Sequence, residues 1–253
     1  MAQYMFGSGV LWATPLTDYA GTAISNPTPV QLAVLQEVGV DMSFDTKALH
    51  GQNQFPVAIA RGKGKLDFKT KAAQINGAAL NSLVFGQTMT SGIFDYLYDV
   101  TGEVIGTTPY QITVDPPGTG TWAADMGVRN SSGLPMTRVA SSPATGEYSV
   151  SAGVYTFAAA DTGKTVFISY QYTDTSTSAK KSTVKNVLMG YMPTFRGDLY
   201  VPYGGKSLAL SIPKCVISKW SFTTKQDDFA VPEWDFSAFA DDAGNVMTWA
   251  VYE

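Results

Sequence analysis

His50 is the only histidine among the 253 residues, so any Ser-His-Asp relay or imidazole-bound metal would rest on that one side chain. No Gly-x-Ser-x-Gly elbow surrounds a serine, and His50 reads as a structural residue. Gly205-Lys206-Ser207 has the ending of a phosphate-cradling loop. That motif needs a glycine five positions earlier, where the chain has Tyr200, so the tripeptide reads as a β-turn. Arg61-Gly62-Lys63-Gly64-Lys65 offers amides and charge to an anion; its glycines equally suit a tight turn or close contact with a neighbouring chain. Asp241-Asp242-Ala243-Gly244-Asn245 has the composition of a metal loop without the alternating ligand spacing or the closing Glu. Paired carboxylates there could also serve a glycosidase, and the simplest alternative is a turn between strands. Cys215, the one cysteine, lies between Ile212 and Val216 in an apolar stretch and reads as a packed thiol. It excludes an intrachain disulfide and a cysteine-based zinc site. None of these sets converges on a reaction. The expectation is a protein that is not an enzyme and takes no cofactor or metal.

The elements that would position such residues are mostly strands. The first thirty residues carry Gly7, Gly9, Pro15, Gly21, Pro27 and Pro29 with little amphipathic period, and read as an extended N-terminal arm and loops. From Val38, the residues Val40, Met42 and Phe44 alternate with Gly39, Asp41, Ser43 and Asp45, the period of a strand with one buried face. Leu66 and Phe68 alternate with Lys65, Asp67, Lys69 and Lys71 in the same way. Ile75, Ala79 and Leu83, spaced by four, predict a helix over 72–85 ended by Gly86. Beyond it, Tyr148 and Val150, then Val166, Ile168, Tyr170 and Tyr172, then Leu208, Leu210 and Ile212, and last Val216, Trp220 and Phe222 mark further strands. Turn clusters separate them: Asp115-Pro116-Pro117-Gly118, Asn130-Ser131-Ser132-Gly133, Asp161-Thr162-Gly163 and Tyr203-Gly204-Gly205. Thr173 to Ser178 reads as a polar loop. The expected fold is mainly β: two packed antiparallel sheets, as a sandwich or barrel, with one short flanking α-helix, in a single domain over 1–253.

Composition points to self-association. Charged residues are 15% against 45% hydrophobic and 12% aromatic, less charge than a soluble monomer usually shows. The net charge of −4 opposes general nucleic-acid binding, which needs a clustered excess of Lys and Arg. No basic segment followed by an apolar core opens the chain, and no apolar run nears the ~18 residues of a membrane span. A product made in the cytosol is expected. Charge is also unevenly placed. Gln226 to Glu253 holds seven acids and no Lys or Arg, while the other 225 residues hold 17 basic and 14 acidic groups.

Several segments, in order, carry a resemblance. They are Phe6-Gly7-Ser8-Gly9-Val10-Leu11-Trp12, Asn26-Pro27-Thr28-Pro29, Leu49-His50-Gly51-Gln52-Asn53-Gln54-Phe55-Pro56-Val57-Ala58 and Ala60-Arg61-Gly62-Lys63-Gly64-Lys65. Val187-Leu188-Met189-Gly190-Tyr191-Met192-Pro193 and the Gly204-Gly205-Lys206 turn follow. Near the C-terminus come Lys225-Gln226-Asp227-Asp228-Phe229-Ala230-Val231-Pro232-Glu233-Trp234-Asp235-Phe236 and Phe239-Ala240-Asp241. The chain resembles the tail tube (major tail) proteins of long-tailed bacteriophages. The resemblance implies hexameric rings whose inner strands join into one barrel, stacked into a tube in the virion tail and assembled in the host cytoplasm. The implied partners are other copies of the chain, a tape-measure protein, tail terminator or baseplate proteins, and a sheath protein where the tail contracts. Genomic DNA would pass through at ejection without specific binding, and no membrane is involved. Residues 103–177 match least and read as an added β hairpin region.

Two sets of residues follow as candidates. Lys63, Lys65, Lys69 and Lys71 face Asp227 and Asp228 of the acidic block as complementary subunit interfaces. Asp41 and Asp45, on the polar side of their strand, are the nominated lumen-facing residues, where negative charge keeps phosphate from sticking. A deletion of residues 2–14 is expected to leave soluble monomers if the arm connects rings. The alternatives are another β-sandwich virion component, at the tail tip or as decoration, and a carbohydrate-binding module using Trp12, Tyr110 and Trp122.

Overall fold

The computed structural model describes residues 4–252 apart from residue 33. In chain order the first strands are β1 (Val10–Pro15), β2 (Val30–Gln31), β3 (Leu35–His50) and β4 (Pro56–Ala72), followed by helix α1 (Gly77–Leu80). Then come β5 (Thr90–Ser91), β6 (Ile93–Leu97), β7 (Glu103–Val104), β8 (Gln111–Thr113), β9 (Thr121–Asn130), β10 (Thr137–Arg138), β11 (Glu147–Ser151), β12 (Val154–Phe157), β13 (Thr165–Asp174) and β14 (Lys180–Lys181). The last four are β15 (Phe195–Tyr203), β16 (Lys206–Ser221), β17 (Glu233–Ala238) and β18 (Thr248–Val251). The fold is mainly β with antiparallel sheets packed on one another. Among the described residues no sheet closes into a barrel.

The chain divides into two compact units rather than one domain with an added hairpin. The first holds residues up to 88 and from 183 on; the second is Met89–Ser182. The whole of 103–177 falls inside the second, which is a unit because it has its own core.

The first unit is an eight-stranded sheet ordered β2-β1-β15-β16-β17-β4-β3, with β18 on the free flank of β16. Residues directly opposite in a ladder share a face, so the core can be read across strands. Leu11, Leu199 and Leu210 stand in one row. Phe68 and Phe236 stand in another, their rings stacked 4.9 Å apart, and Phe195 meets Phe236 edge-on. Ala79 and Leu83 close this core from the helical side.

The N-terminal arm needs correcting. Residues 1–3 lie outside the described residues, but Val10–Pro15 is a full strand of the central sheet, with Leu11 and Ala13 buried. The glycines flank it, and Pro15 is its buried last residue, opposite Phe195. Deleting 2–14 would therefore remove core, and cannot test whether an arm connects rings.

The helix is shorter than the predicted 72–85. The β4 strand runs to Ala72, and Asn76 caps α1 by accepting from the Ala78 and Ala79 amides. One helical turn passes into a π-type turn over Asn81–Phe85, ended by Gly86 in the left-handed region at φ +58°. A side chain on Gly86 would also strike the Tyr19 backbone, so glycine is required there twice over. Ile75 precedes the cap and is half exposed.

The second unit packs the sheet β10-β11-β12-β8 against one built on β13, which pairs β9 on one side and β6 and β7 on the other. Val128, Tyr148, Tyr155, Phe157, Val166, Ile168 and Tyr170 form its core. A buried carboxylate organises it. Asp125 accepts from the hydroxyls of Tyr148 at 2.8 Å and Tyr155 at 3.1 Å, with Arg138 at 3.7 Å. Burial, helped by Asp125, raises both phenol pKa values.

Candidate assembly surface

The β3–β4 hairpin is the dominant feature of the first unit. Its strands have 16 and 17 residues, joined by 51–55. Only the base is packed: Leu66 and Phe68 are buried, while every described side chain of β3 beyond Leu35 is exposed or partly so. Beyond Met42 and Leu66 the hairpin runs on for roughly 25 Å at strand rise. The strand over 38–45 is where the alternation placed it, but its apolar face is not buried in the single chain. Val40, Met42 and Phe44 remain 42%, 46% and 41% exposed. They stand in the same rows as Phe68, Leu66 and Gly64, so they extend the core face past the part of the sheet that anything covers.

Phe44 explains the Gly62/Gly64 spacing. Residues 61–65 are strand, not turn. A Cβ on Gly64 would lie 2.9 Å from the Phe44 ring, and the Arg61 guanidinium stacks on that ring at 4.0 Å. The close contact is therefore made within the chain. A bulge between Phe44 and Thr46 sets Asp45 against Gly62, whose missing side chain leaves room for it.

The opposite face of the same strands is charged. One row reads Glu37, Lys71, Glu233; the next Gly39, Lys69, Asp235, Lys219; the third Asp41, Asp67, Ser237. Lys71 donates to Glu37 at 2.7 Å, Lys65 pairs with Asp67, and Lys219 lies 3.9 Å from Glu233. The hydrogen bond from Lys65, and then that from Ser237, lowers the Asp67 pKa. The hydrogen bond to Asp67 raises that of Lys65. Five carboxylates and four ammonium groups share this face: Glu37, Asp41, Asp67, Glu233 and Asp235 against Lys65, Lys69, Lys71 and Lys219. It is close to neutral.

The expected complementarity between the basic strand and the acidic block is thus met partly inside the chain. Glu233 and Asp235 sit beside Lys71 and Lys69 because β17 pairs with β4. Lys63 is exposed at the bulge. Asp227 and Asp228 lie in the exposed loop before β17 and have no ion pair with any of the four lysines among the described residues. Asp41 shares the charged face with Lys65, Asp67 and Lys69 around a shallow trough. Asp45 follows at the bulge.

Other singled-out residues fall into ordinary places. His50 is exposed at the end of β3. Gly204 and Gly205 form the two-residue turn between Tyr203 and Lys206, both at positive φ. Asp241 accepts from the Ala243 and Asn245 amides and the Asn245 side chain, which lowers its pKa and closes a turn. Burial pushes the Cys215 thiol up to about 12, an inert state. Trp12 belongs to the first unit, whereas Tyr110 and Trp122 pack partly buried on the core of the second. Among the described residues no cluster of three His, Cys, Asp or Glu gathers to hold a metal, and no helix is long and apolar enough to cross a membrane.

Sequence reasoning missed the exposure of the hairpin and two further apolar patches, at 184–192 and at Phe222 and Phe229. The one available signal was length: 35–50 and 56–72 are far longer than the strands of a small sandwich. A scan against family models gives no match, and a search of curated proteins finds none either.

Proposed function

We propose that this chain is a structural subunit that builds a hollow tube from copies of itself, the tail tube of a long-tailed phage. One observation carries the proposal. A sixteen-residue strand, β3, ends the sheet with its outer edge unpaired among the described residues, and apolar side chains continue its core face into solvent. Such an edge is a template for another strand, and although β3 carries charges and bulges, the apolar face beside it is left uncovered in the single chain. Rings of copies would close the edges.

The charged face of the same strands then turns toward the bore. Its lysines alternate with carboxylates, so DNA phosphates would find little net attraction there and would slide. On this reading the bore near Asp41 is lined by a nearly balanced ladder, where an acidic, polar lining was expected.

Purified full-length chain, followed by sedimentation velocity and negative-stain microscopy over rising concentration, tests the proposal. Rings or hollow tubes are expected. A monodisperse monomer at every concentration refutes it.

A second reading, a carbohydrate-binding module, has one observation in its favour. Phe94, Tyr96 and Tyr98 are exposed in alternate positions at β6 in the second unit, the first two rings 6.2 Å apart. Such a module stays monomeric and gains thermal stability with a glycan.

A further inference from the structure

Two other exposed patches of the first unit differ in charge and match in apolar character. The segment 184–192, which is free of helix and strand, presents Val184, Leu188, Met189, Tyr191 and Met192 to solvent, with Met189 fully exposed. Its one charge is Lys185, whose ammonium has no carboxylate within 4.0 Å among the described residues and lies 5.7 Å from the Tyr19 ring. In the sequence, 175–197 holds four basic residues and no acid. The loop after β16 presents Phe222 and Phe229, the latter 90% exposed, beside Asp227 and Asp228. Neither aspartate has an ion-pair partner among the described residues; Asp228 only accepts from the Phe229 amide.

We infer that segment 184–192 of one copy docks on loop 222–229 of a second copy of this chain, Lys185 meeting Asp227 and Asp228 while Leu188 and Met189 cover Phe229. This rests on the tube reading and names a contact within it. Five large apolar side chains lie at least 45% exposed within nine residues of the segment, whereas monomers rarely expose contiguous apolar patches beyond a few hundred Å². The segment carries Lys185 and the loop carries Asp227 and Asp228 against the single Lys225, so the net charges are opposite, which sets register and disfavours the pairing of two identical patches. Because the patches differ, the contact is head-to-tail. Repeated, it closes a ring or grows a helical filament rather than stopping at a dimer.

Charge reversal tests it. Lys185→Glu in one chain, and Asp227→Lys with Asp228→Lys in another, each place like charges across the contact. Each is expected to raise the concentration needed for assembly about tenfold or more, with an unchanged melting curve because all three side chains are exposed. All three substitutions in one chain should restore assembly. Leu188→Ser with Met189→Ser should weaken it in every charge background. Reversed chains that assemble as the wild type does, or a triple variant no better than its parents, overturn the inference and leave the tube reading standing. A wild type that never assembles overturns both.

Discussion

Met42→Glu separates what the fold needs from what assembly needs. Met42 stands opposite Leu66 in the hairpin, yet 46% of it remains exposed. Its loss costs the single chain only a cross-strand contact, about 0.2–1 kcal/mol. For a chain of this size that lowers the melting temperature by about 2–4 °C at most. Assembly that covers the apolar face would bury the remaining half of the side chain, worth about 1 kcal/mol. A carboxylate forced under the same cover without a partner costs several kcal/mol more, or shifts its pKa to escape. The two effects together predict at least a hundredfold rise in the concentration required for rings or tubes, with near-native thermal unfolding. Met42→Gln, of similar length and uncharged, should fall between the two. Sedimentation velocity and negative-stain counts read the first quantity, differential scanning calorimetry the second. Assembly within about twofold of wild type would show that this face is not covered between copies. A drop of ten degrees or more in melting temperature would show that Met42 is packed in the single chain after all.

Other perturbations test the fold itself. Phe68→Ala removes a ring that is 1% exposed and stacked on Phe236, and urea titration should show a loss of about 3–5 kcal/mol. In the second unit, Asp125→Ala strands the hydroxyls of Tyr148 and Tyr155; a loss of about 2–4 kcal/mol and a changed tyrosine near-ultraviolet spectrum are expected. The Asp67 pKa is lowered in the folded chain, first by the Lys65 hydrogen bond. Its contribution is therefore fully present above the unfolded carboxylate value and is lost as pH falls through the lower folded one. Denaturant midpoints should be flat from neutral pH to about 5 and decline below about 4, and Asp67→Asn should flatten part of that decline. A midpoint that instead falls as pH rises from 5 to 7 would contradict the assignment.

Strands were legible where alternation ran uninterrupted. Val166, Ile168 and Tyr170 are buried on β13 as their spacing demands. The pattern failed at bulges. In β16, Ile212 and Cys215 are both buried although three apart, because the pairing with β15 shifts register between Phe195 and Gly197. A second shift between Ile217 and Lys219 follows. The core residue there is Ile217, not Val216, since each extra residue turns all later side chains to the other face. The first strand was hidden by its flanks. Val10–Pro15 buries Leu11, Ala13 and Pro15 in alternation, but an alanine and a proline on the inner face, next to Trp12 and glycines, do not read as an apolar strand period. The second unit was legible as β but not as a separate body, because a core boundary depends on which strands pair, and pairing is not local. Exposure was the least legible property. Val40 and Leu66 have the same pattern in sequence, and only the three-dimensional sheet decides that one is covered and the other is not.

The two faces of the β3–β4 hairpin constrain how any assembly can use it. With a period of two, the apolar row Val40, Met42, Phe44 and the charged row Glu37, Asp41 with its lysine neighbours point to opposite faces, so one covering surface cannot take both. A neighbouring copy that covered the charged face would have to desolvate Asp41, Asp67, Lys65 and Lys69 together, a cost that paired charges seldom recover. A copy that covers the apolar face removes hydrocarbon from water and leaves the ladder hydrated. Energetics thus fix the orientation independently of any likeness to other proteins: if this edge is used for assembly, the charged face is the one left to solvent. In a ring, the only solvent enclosed by such strands is the bore. The Phe44–Gly64–Arg61 clasp protects that orientation, because its bulge pins the register that keeps the two rows on opposite sides.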